Sequence, residues 1–131
     1  GCGQLEKLPD LIERKRLLAE RYAEAFTAHP EFAFVSEPEH AVSNYWLNAV
    51  ILDESLRASR DRLIERTGKR GYQLRPAWTP LHTLPMYEEA PRSTMRTTSD
   101  LAGRILNVPS GPTLTESTSV ERSASPSISN A

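Results

Sequence analysis

The clearest periodic pattern of apolar residues lies between residues 10 and 28. Apolar side chains recur there every three or four residues, as in an amphipathic helix, at Leu11, Ile12, Leu18, Ala19, Tyr22, Ala25 and Phe26. Pro9 suits the first turn of a helix, and Pro30 ends the segment. The charged residues between the apolar ones, Lys15 and Arg16 among them, are expected to form a solvated helix face.

Shorter patterns predict a small sheet after this helix. Strands are predicted at residues 32–35, 43–52, 72–75 and 105–108. In the longest strand, alternate residues separate into two faces: Tyr45, Leu47, Ala49 and Ile51 on one, and Asn44, Trp46 and Asn48 on the other. The second face is polar and aromatic before it turns apolar at Val50, which is typical of a strand half inside a core and half lining a cleft.

Two short helices are predicted beside these strands. Ser59 can cap a helix that runs to about Thr67, and another is expected from Ser99 or Asp100 through Arg104. Together these elements predict an α+β domain, in which the longer helices pack on a small, mainly antiparallel sheet.

Regular structure should fail between residues 76 and 91. Four prolines interrupt this segment, at Pro76, Pro80, Pro85 and Pro91. The same segment carries large apolar side chains, namely Trp78, Leu81, Leu84, Met86 and Tyr87. A proline-rich loop with so many large apolar groups must pack on something, either its own domain or a partner.

The composition changes at Pro112. Nine of the final 20 residues are Ser or Thr, and large aliphatic residues are rare there. Such a segment cannot bury enough apolar surface to offset the entropy lost on ordering it. The sequence therefore predicts a folded domain over residues 1–111 and a disordered tail over residues 112–131.

Charge and cysteine content exclude several classes of function. The chain has 16 Lys and Arg residues against 17 Asp and Glu residues, so it lacks the basic excess of a nucleic-acid-binding protein. No apolar run approaches the roughly 20 residues needed to span a membrane. The single cysteine, Cys2, cannot form an internal disulfide, which indicates a reducing compartment and a cytoplasmic location.

Residue patterns of known catalytic sites are missing. The histidines have no metal-ligand spacing, and the chain contains neither a phosphate-binding glycine loop nor a serine nucleophile motif. The candidates that remain are Arg75, which can bind a carboxylate or phosphate through two hydrogen bonds, and His82, which can donate a hydrogen bond or move a proton near neutral pH. Composition alone favours structural roles for both, an ion pair for Arg75 and hydrogen bonds to backbone carbonyls for His82.

Five short stretches of the chain add a different signal. They are residues 1–9 (GCGQLEKLP), 44–49 (NYWLNA), 75–82 (RPAWTPLH), 84–87 (LPMY) and 105–110 (ILNVPS). In this order they resemble DegT-type sugar-nucleotide aminotransferases, which use pyridoxal 5′-phosphate and have the aspartate-aminotransferase fold (fold type I). Many members carry His-Tyr where Pro76 and Ala77 stand. The Arg-Pro-x-Trp version is similar to the subgroup that aminates 4-keto sugars for nonulosonic-acid-type surface glycans.

The resemblance implies that residues 1–111 are the C-terminal small domain of such an enzyme. The full-length enzyme would be a homodimer whose N-terminal domain holds the cofactor. It would convert a nucleotide-linked keto sugar to an amino sugar, with glutamate as the amino donor. The loop at residues 80–82 would lie over the active-site mouth, and the implied substrate-binding residues are His82, Arg75, Trp78 and Asn44.

The chain departs from the family pattern in its lysines. Transamination needs a lysine that holds the cofactor as a Schiff base, and the lysines here are Lys7, Lys15 and Lys69. None stands in the Ser-Phe-x-x-x-Lys context of the family. We therefore assign no catalytic or cofactor-binding residue, and we expect this chain alone to bind no cofactor and to be inactive.

A non-catalytic binding or dimerisation module derived from the same family is the alternative function. In either case the apolar residues around Trp78, Leu84 and Met86 should be exposed in the isolated chain. Exposed apolar patches favour association, so the sequence also predicts self-association or poor solubility.

Overall fold

A computed structural model describes residues 1–115 of the chain. The helices and strands follow in the order α1 (Cys2–Leu5), α2 (Leu8–Phe26), β1 (Phe32–Phe34), β2 (Asn48–Leu52), α3 (Arg60–Gly68), β3 (Arg75–Pro76), α4 (Arg96–Ala102) and β4 (Ile105–Val108). Short 3₁₀ helices lie at Glu54–Ser59, Leu81–Thr83, Pro85–Tyr87 and Pro112–Thr115. Across these residues, none of the helices has the length and apolar character that crossing a membrane requires.

The long helix α2 confirms the periodic pattern, with ends shifted by two residues. Pro9 lies in its first turn, where a missing N–H costs no helical hydrogen bond, and Asp10 places a carboxylate near the positive end of the helix. Leu18 and Ala19 are buried on the face that meets the sheet. The helix ends at Phe26, where the Thr27 hydroxyl donates a hydrogen bond to the Glu24 carbonyl.

The four strands form one antiparallel sheet in the order β1-β2-β4-β3. Val50 of β2 pairs with Phe34 of β1 on one side and with Leu106 of β4 on the other. The predicted α+β architecture with a small antiparallel sheet is thereby confirmed.

The predicted strand at 72–75 is wrong in its position, because β3 occupies Arg75–Pro76 instead. The residues before it form the turn that ends α3. Gly71 has a φ of 86°, and the Tyr72 N–H donates to the Thr67 carbonyl. The turn therefore includes Tyr72, which the sequence pattern had placed in the strand.

The predicted strand at 43–52 is also wrong in its length. Tyr45 has a φ of 44°, so the extended conformation begins only at Asn48. Val50 and Leu52, where the mixed face was predicted to turn apolar, are buried, whereas Ala49 and Ile51 are only half-buried. The helices decide this, because the apolar side chains of α2 and α3 cover the Val50 face; they are Tyr22, Phe26, Leu63 and Ile64.

One polar side chain lies on this covered face. Asn48 is fully buried, and among residues 1–115 neither the nitrogen nor the oxygen of its side-chain amide finds a hydrogen-bond partner. Its backbone N–H is satisfied by the Ser110 hydroxyl at 2.8 Å. A buried amide without partners costs free energy, so Asn48 is a destabilising residue within an otherwise apolar core.

A charged cluster fixes α4 against the opposite end of the sheet. Asp100 accepts hydrogen bonds from the guanidinium groups of Arg57 and Arg104, and these interactions, those of Arg104 first, lower the pKa of Asp100. Arg104 also donates to the Leu52 carbonyl at 2.9 Å. Helix α4 runs over Arg96–Ala102, earlier than the predicted segment that ended at Arg104. This shift leaves Arg104 outside the helix, where it connects Asp100 to the sheet.

The described chain continues past the predicted domain boundary. Pro112–Thr115 forms a 3₁₀ helix that packs against α2, and the Tyr22 hydroxyl of α2 donates to the Pro109 carbonyl at 3.0 Å. The first four residues of the predicted tail are therefore ordered against α2, and the domain boundary itself stays a prediction. The remainder of the predicted tail, residues 116–131, lies outside the described residues.

Candidate functional site

Two loops carry the residues that the sequence singled out. We call residues 35–47 the β1–β2 loop and residues 77–95 the proline loop. Asn44 lies in the first, Trp78 and His82 lie in the second, and Arg75 lies on the edge strand that leads into the second.

Arg16 of α2 anchors the β1–β2 loop. Its Nη1 and Nη2 atoms donate to Glu37 Oε2 and Oε1 at 2.9 and 2.6 Å, and Nη1 also donates to the Ser43 carbonyl at 2.7 Å. Glu37 Oε2 accepts the Ser43 N–H at 2.6 Å. The hydrogen bonds from Arg16, followed by that from Ser43, lower the pKa of Glu37 to about 2. Arg16, Glu37, Ser43 and Tyr45 are together called the Arg16 cluster below.

Tyr45 completes this cluster in a left-handed backbone conformation. Its ring lies 5.7 Å from the Arg16 guanidinium and stacks on Phe34 with ring centroids 6.4 Å apart. Its hydroxyl accepts the Glu37 N–H at 3.2 Å, and its own N–H donates to the Ser43 hydroxyl at 2.9 Å. A left-handed conformation costs a bulky residue about 1–2 kcal/mol, so these contacts have to hold it in place.

Asn44 and Trp46 lie on either side of Tyr45 and are exposed. The side-chain oxygen of Asn44 accepts the Trp46 N–H at 3.0 Å. Lys15 of α2 donates to the Trp46 carbonyl at 3.2 Å and to the Ser110 carbonyl at 2.7 Å. The predicted solvated face of α2 is therefore wrong for Lys15 and Arg16, because both side chains bind loops that are distant in sequence.

The two loops meet where Trp46 contacts Trp78. The ring centroids are 6.1 Å apart and the planes make an angle of 41°. Trp46 is 66% exposed and Trp78 is 75% exposed, so most of both rings faces outward. Through Trp46, the structure brings the Asn44 segment next to Trp78.

Arg75 borders a cavity of about 500 Å³ that Leu47, Tyr72, Asn107 and Ser110 also line. Its strand is short because Pro76 offers no N–H for further pairing, and the Asn107 amide donates to the Pro76 carbonyl at 3.2 Å. No carboxylate within residues 1–115 pairs with Arg75. The structural role considered for it, an ordinary ion pair, is therefore not seen in this part of the chain.

His82 lines a different cavity, of about 390 Å³, within the proline loop. It is half-buried, and its Nε2 atom lies 3.3 Å from the Ser99 hydroxyl. Its expected structural role is taken by Arg92, which donates to the Glu88 carbonyl at 2.8 Å and to the His82 carbonyl at 3.4 Å. The His82 ring thus lines this cavity and contacts Ser99, and the structure does not place it in the same cavity as Arg75.

Sequence reasoning did not identify the Arg16 cluster. Its acidic member, Glu37, stands in a stretch of mixed polar residues without periodicity, and its basic member looks like any other charged helix position. The one available signal was the Ser-Asn-Tyr-Trp sequence at 43–46, because Ser and Asn side chains often bond backbone N–H groups two residues ahead.

The model of the DegT/DnrJ/EryC1/StrS aminotransferase family matches residues 1–122. The chain belongs to this family. The resemblance inferred from the five sequence stretches is confirmed, and members of the family use pyridoxal 5′-phosphate.

Individual relatives agree with this assignment. EpsN of Bacillus subtilis, named as a pyridoxal phosphate-dependent aminotransferase, is 33% identical over 120 residues, which are 88% of this chain and 30% of EpsN. The GDP-perosamine synthase of Vibrio cholerae is 33% identical over 115 residues, 87% of this chain and 31% of that enzyme. The crystal structure of DesI with its TDP-sugar product has a TM-score of 0.75 and 27% identity over 85% of this chain and 29% of DesI. The chain thus spans about 30% of the length of the curated relatives it matches.

The lysines present do not fit the cofactor's binding site. A Schiff-base lysine needs an amine that can reach the cofactor aldehyde, beside an acidic group for the pyridine nitrogen. The Lys15 amine instead donates to two backbone carbonyls, and the Lys69 amine pairs with Glu65 at 2.6 Å. Lys7 lies at the exposed start of α2. No step of transamination can be derived from these three side chains.

Proposed function

We propose that this chain forms the substrate-side surface of a sugar aminotransferase that converts a nucleotide-linked keto sugar to an amino sugar, with glutamate as the amino donor. The observation that carries the proposal is the family match over residues 1–122, whose named relatives include an enzyme of GDP-sugar metabolism and a TDP-sugar-bound structure. The two loops and the edge strand support it, because they present an exposed cation at Arg75, an exposed amide at Asn44 and an exposed ring at Trp78.

Each proposed substrate-binding residue has a chemistry that suits a nucleotide sugar. Arg75 has an exposed guanidinium without a carboxylate partner in the described chain, which suits a diphosphate. Trp78 offers an exposed ring face on which a sugar or base can stack. His82 and Asn44 can hydrogen-bond sugar hydroxyls.

The cofactor chemistry is proposed to come from residues outside this chain. Pyridoxal phosphate supplies the electron sink that labilises bonds at the amino-bearing carbon. Since the three lysines present do not fit that group, we propose that the chain alone does not transaminate. In the complete enzyme, proposed to be a homodimer in the cytoplasm, these residues bind and orient the sugar and exclude water from it.

A binding or dimerisation module remains the second candidate, and a specific observation favours it. Met86 is 72% exposed and Leu81 is 66% exposed on the proline loop, close in sequence to the exposed Trp78. Leu84, which the sequence also placed on this surface, is half-buried. Exposed apolar side chains of this kind favour association with a second copy or another domain.

Two measurements on the purified 131-residue chain separate these candidates. The first mixes the chain with pyridoxal phosphate, glutamate and a GDP-linked 4-keto sugar and follows the aldimine absorbance before and after borohydride. We expect no amino sugar and no pyridoxyl group retained on the protein after borohydride and dialysis, and detection of both would overturn the proposed inactivity. Light scattering over a concentration series then tests self-association.

The second measurement tests the proposed substrate-binding surface. GDP- and TDP-linked sugars are titrated into the chain while tryptophan fluorescence is recorded. We expect saturable quenching that Arg75→Ala weakens and Arg70→Ala leaves unchanged, since Arg70 is an exposed residue of the turn after α3. Equal affinity for both variants would contradict the role of Arg75. Absence of any quenching together with a stable dimer would favour the binding module.

A further inference from the structure

We propose that Arg16 and Glu37 are positioning residues for the substrate-side surface: they hold the β1–β2 loop in the conformation that places Trp46 against Trp78. Only the purpose of that surface, the binding of substrate, rests on the proposed function. The geometry that carries the inference, and the experiment that tests it, require no substrate.

The first step is the closure of the loop by a single carboxylate. Glu37 binds the Arg16 side chain through both of its oxygens and also accepts the Ser43 N–H, while Arg16 holds the Ser43 carbonyl. Both ends of the 37–43 segment are thereby fixed to α2. The side chains of Arg16 and Glu37 are 33% and 24% exposed, so this pair is better shielded from water than a typical surface ion pair.

The second step is that the described chain holds the segment by little else, namely one turn hydrogen bond from the Ala41 N–H to the Pro38 carbonyl. Residues 38 to 42 are exposed, and the largest apolar side chain among them, Val42, is 88% exposed. Without apolar burial, the segment depends on the polar contacts of the Arg16 cluster. Loss of the ion pair should therefore release the loop without removing core packing.

The third step is the transmission of this order to Trp46. Ser43 binds the Tyr45 N–H and Tyr45 binds Glu37, so the left-handed conformation at Tyr45 is fixed from inside the cluster. That conformation turns the chain between the cluster and β2 and sets the direction in which Trp46 leaves the backbone. Lys15 then holds the Trp46 carbonyl from outside the cluster.

The last step is that the contact between Trp46 and Trp78 depends on position rather than on burial. Both rings are mostly exposed, so the core does not force them together. An aromatic pair contributes only about 0.5–1.5 kcal/mol by itself, which is too little to order two loops. The backbone of each loop has to be held in place independently, by the Arg16 cluster on one side and by the prolines on the other.

The test uses the fact that Trp46 and Trp78 are the two tryptophans of the chain. Two indoles in contact give a coupled pair of bands in far-ultraviolet circular dichroism, and this couplet reports their mutual orientation. Trp46→Phe and Trp78→Phe should each abolish the couplet, which assigns it to the pair. Glu37→Gln should remove most of it, whereas the matched control Glu39→Gln, in the same loop and exposed, should leave it intact.

Two further variants separate positioning from general loss of folding. Arg16→Lys keeps the charge but loses the planar two-bond geometry, and it should weaken the couplet while the urea midpoint changes little. The double exchange Arg16→Glu with Glu37→Arg should recover part of the couplet lost in either single variant.

Defined outcomes overturn the inference. A couplet that is absent from the wild-type chain, or one that persists unchanged in folded Glu37→Gln and Arg16→Lys, would show that the ion pair does not position Trp46. A couplet that depends on the ion pair, in a chain that binds no nucleotide sugar, would uphold the positioning role and overturn the proposed function alone.

Discussion

The helix-covered face of the sheet and the two loops that carry the candidate site are held together by different interactions. On the covered face, Val50, Leu52 and Leu106 are at most 2% exposed and pack against apolar side chains of α2 and α3. In the loops, Trp46 and Trp78 are mostly exposed, and the backbone is fixed by charged and polar hydrogen bonds. Stability should therefore depend on the covered face, and the shape of the site on a few charges.

The largest expected effect is a loss of stability when the covered face is truncated. Leu52 is fully buried, so Leu52→Ala removes apolar contacts and leaves a cavity, and we expect the free energy of unfolding to fall by about 2–5 kcal/mol. Urea denaturation followed by circular dichroism measures this. Leu5→Ala, at a position 66% exposed, should change stability by less than about 0.5 kcal/mol. Similar values for the two variants would remove the distinction between the regions.

A smaller loss is expected where charges fix α4 to the sheet. A Cβ atom at Gly103 would clash with Arg57 Nη1, so Gly103→Ala has to displace the guanidinium that binds Asp100. Because the clashing atom ends a flexible, partly exposed side chain, the expected cost is that of weakening this ion pair, about 1 kcal/mol. The control is Gly68→Ala at the end of α3, where no atom lies within 4 Å of the added Cβ. A neutral Gly103→Ala in thermal unfolding would show that this charged cluster contributes little to the fold.

A gain in stability is expected at the one polar residue of the covered face. Asn48→Val replaces an unpartnered buried amide with an apolar group suited to a strand, and we expect the free energy of unfolding to rise by about 1–2 kcal/mol. Asn107→Val on the neighbouring strand should bring no such gain, because the Asn107 amide already donates to the Pro76 carbonyl. A destabilised Asn48→Val protein in urea denaturation would reveal a partner, such as a buried water, for the amide.

The smallest expected effect is the loss, at acid pH, of the stability that Glu37 contributes in the β1–β2 loop. Glu37 has a pKa of about 2 in the folded chain against a reference value of 4.5. Because its folded pKa is the lower one, its stabilising contribution is complete above about pH 4.5 and is lost as the pH falls toward 2. Between these pH values the wild-type chain should lose stability faster than Glu37→Gln. Parallel pH profiles of the urea midpoint for the two proteins would contradict the depressed pKa.

Much of the architecture could be predicted from local patterns. The spacing of Leu18, Tyr22 and Phe26 identified α2, because a helix repeats its buried positions every three or four residues whatever it packs against. The prolines of the 76–91 segment identified an irregular loop, since each removes a backbone donor and fixes φ. The ordered series of short stretches indicated the family that the family model confirms.

The candidate site was less predictable, for reasons that are physical. In the segment 43–52, alternation gave two plausible buried faces, and only the side on which α2 and α3 pack decided between Ala49 and Val50. The assignment of site residues His82, Arg75, Trp78 and Asn44 stays a prediction, which the titrations with nucleotide sugars test.

The sequence by itself determined the features whose signals are local, namely the apolar stripe of α2 and the proline loop. It also showed that none of the three lysines stands in the family's Schiff-base context. The tertiary structure decided everything that depends on partners distant in the chain. Arg16 pairs with Glu37, 21 positions away, and Trp46 contacts Trp78 in another loop. Nothing in the sequence around these residues distinguishes them from solvent-exposed charged or aromatic side chains. A charged helix position acquires a role only when folding brings a complementary group within hydrogen-bond distance, because the energy of such a contact falls steeply with separation and is weak in water.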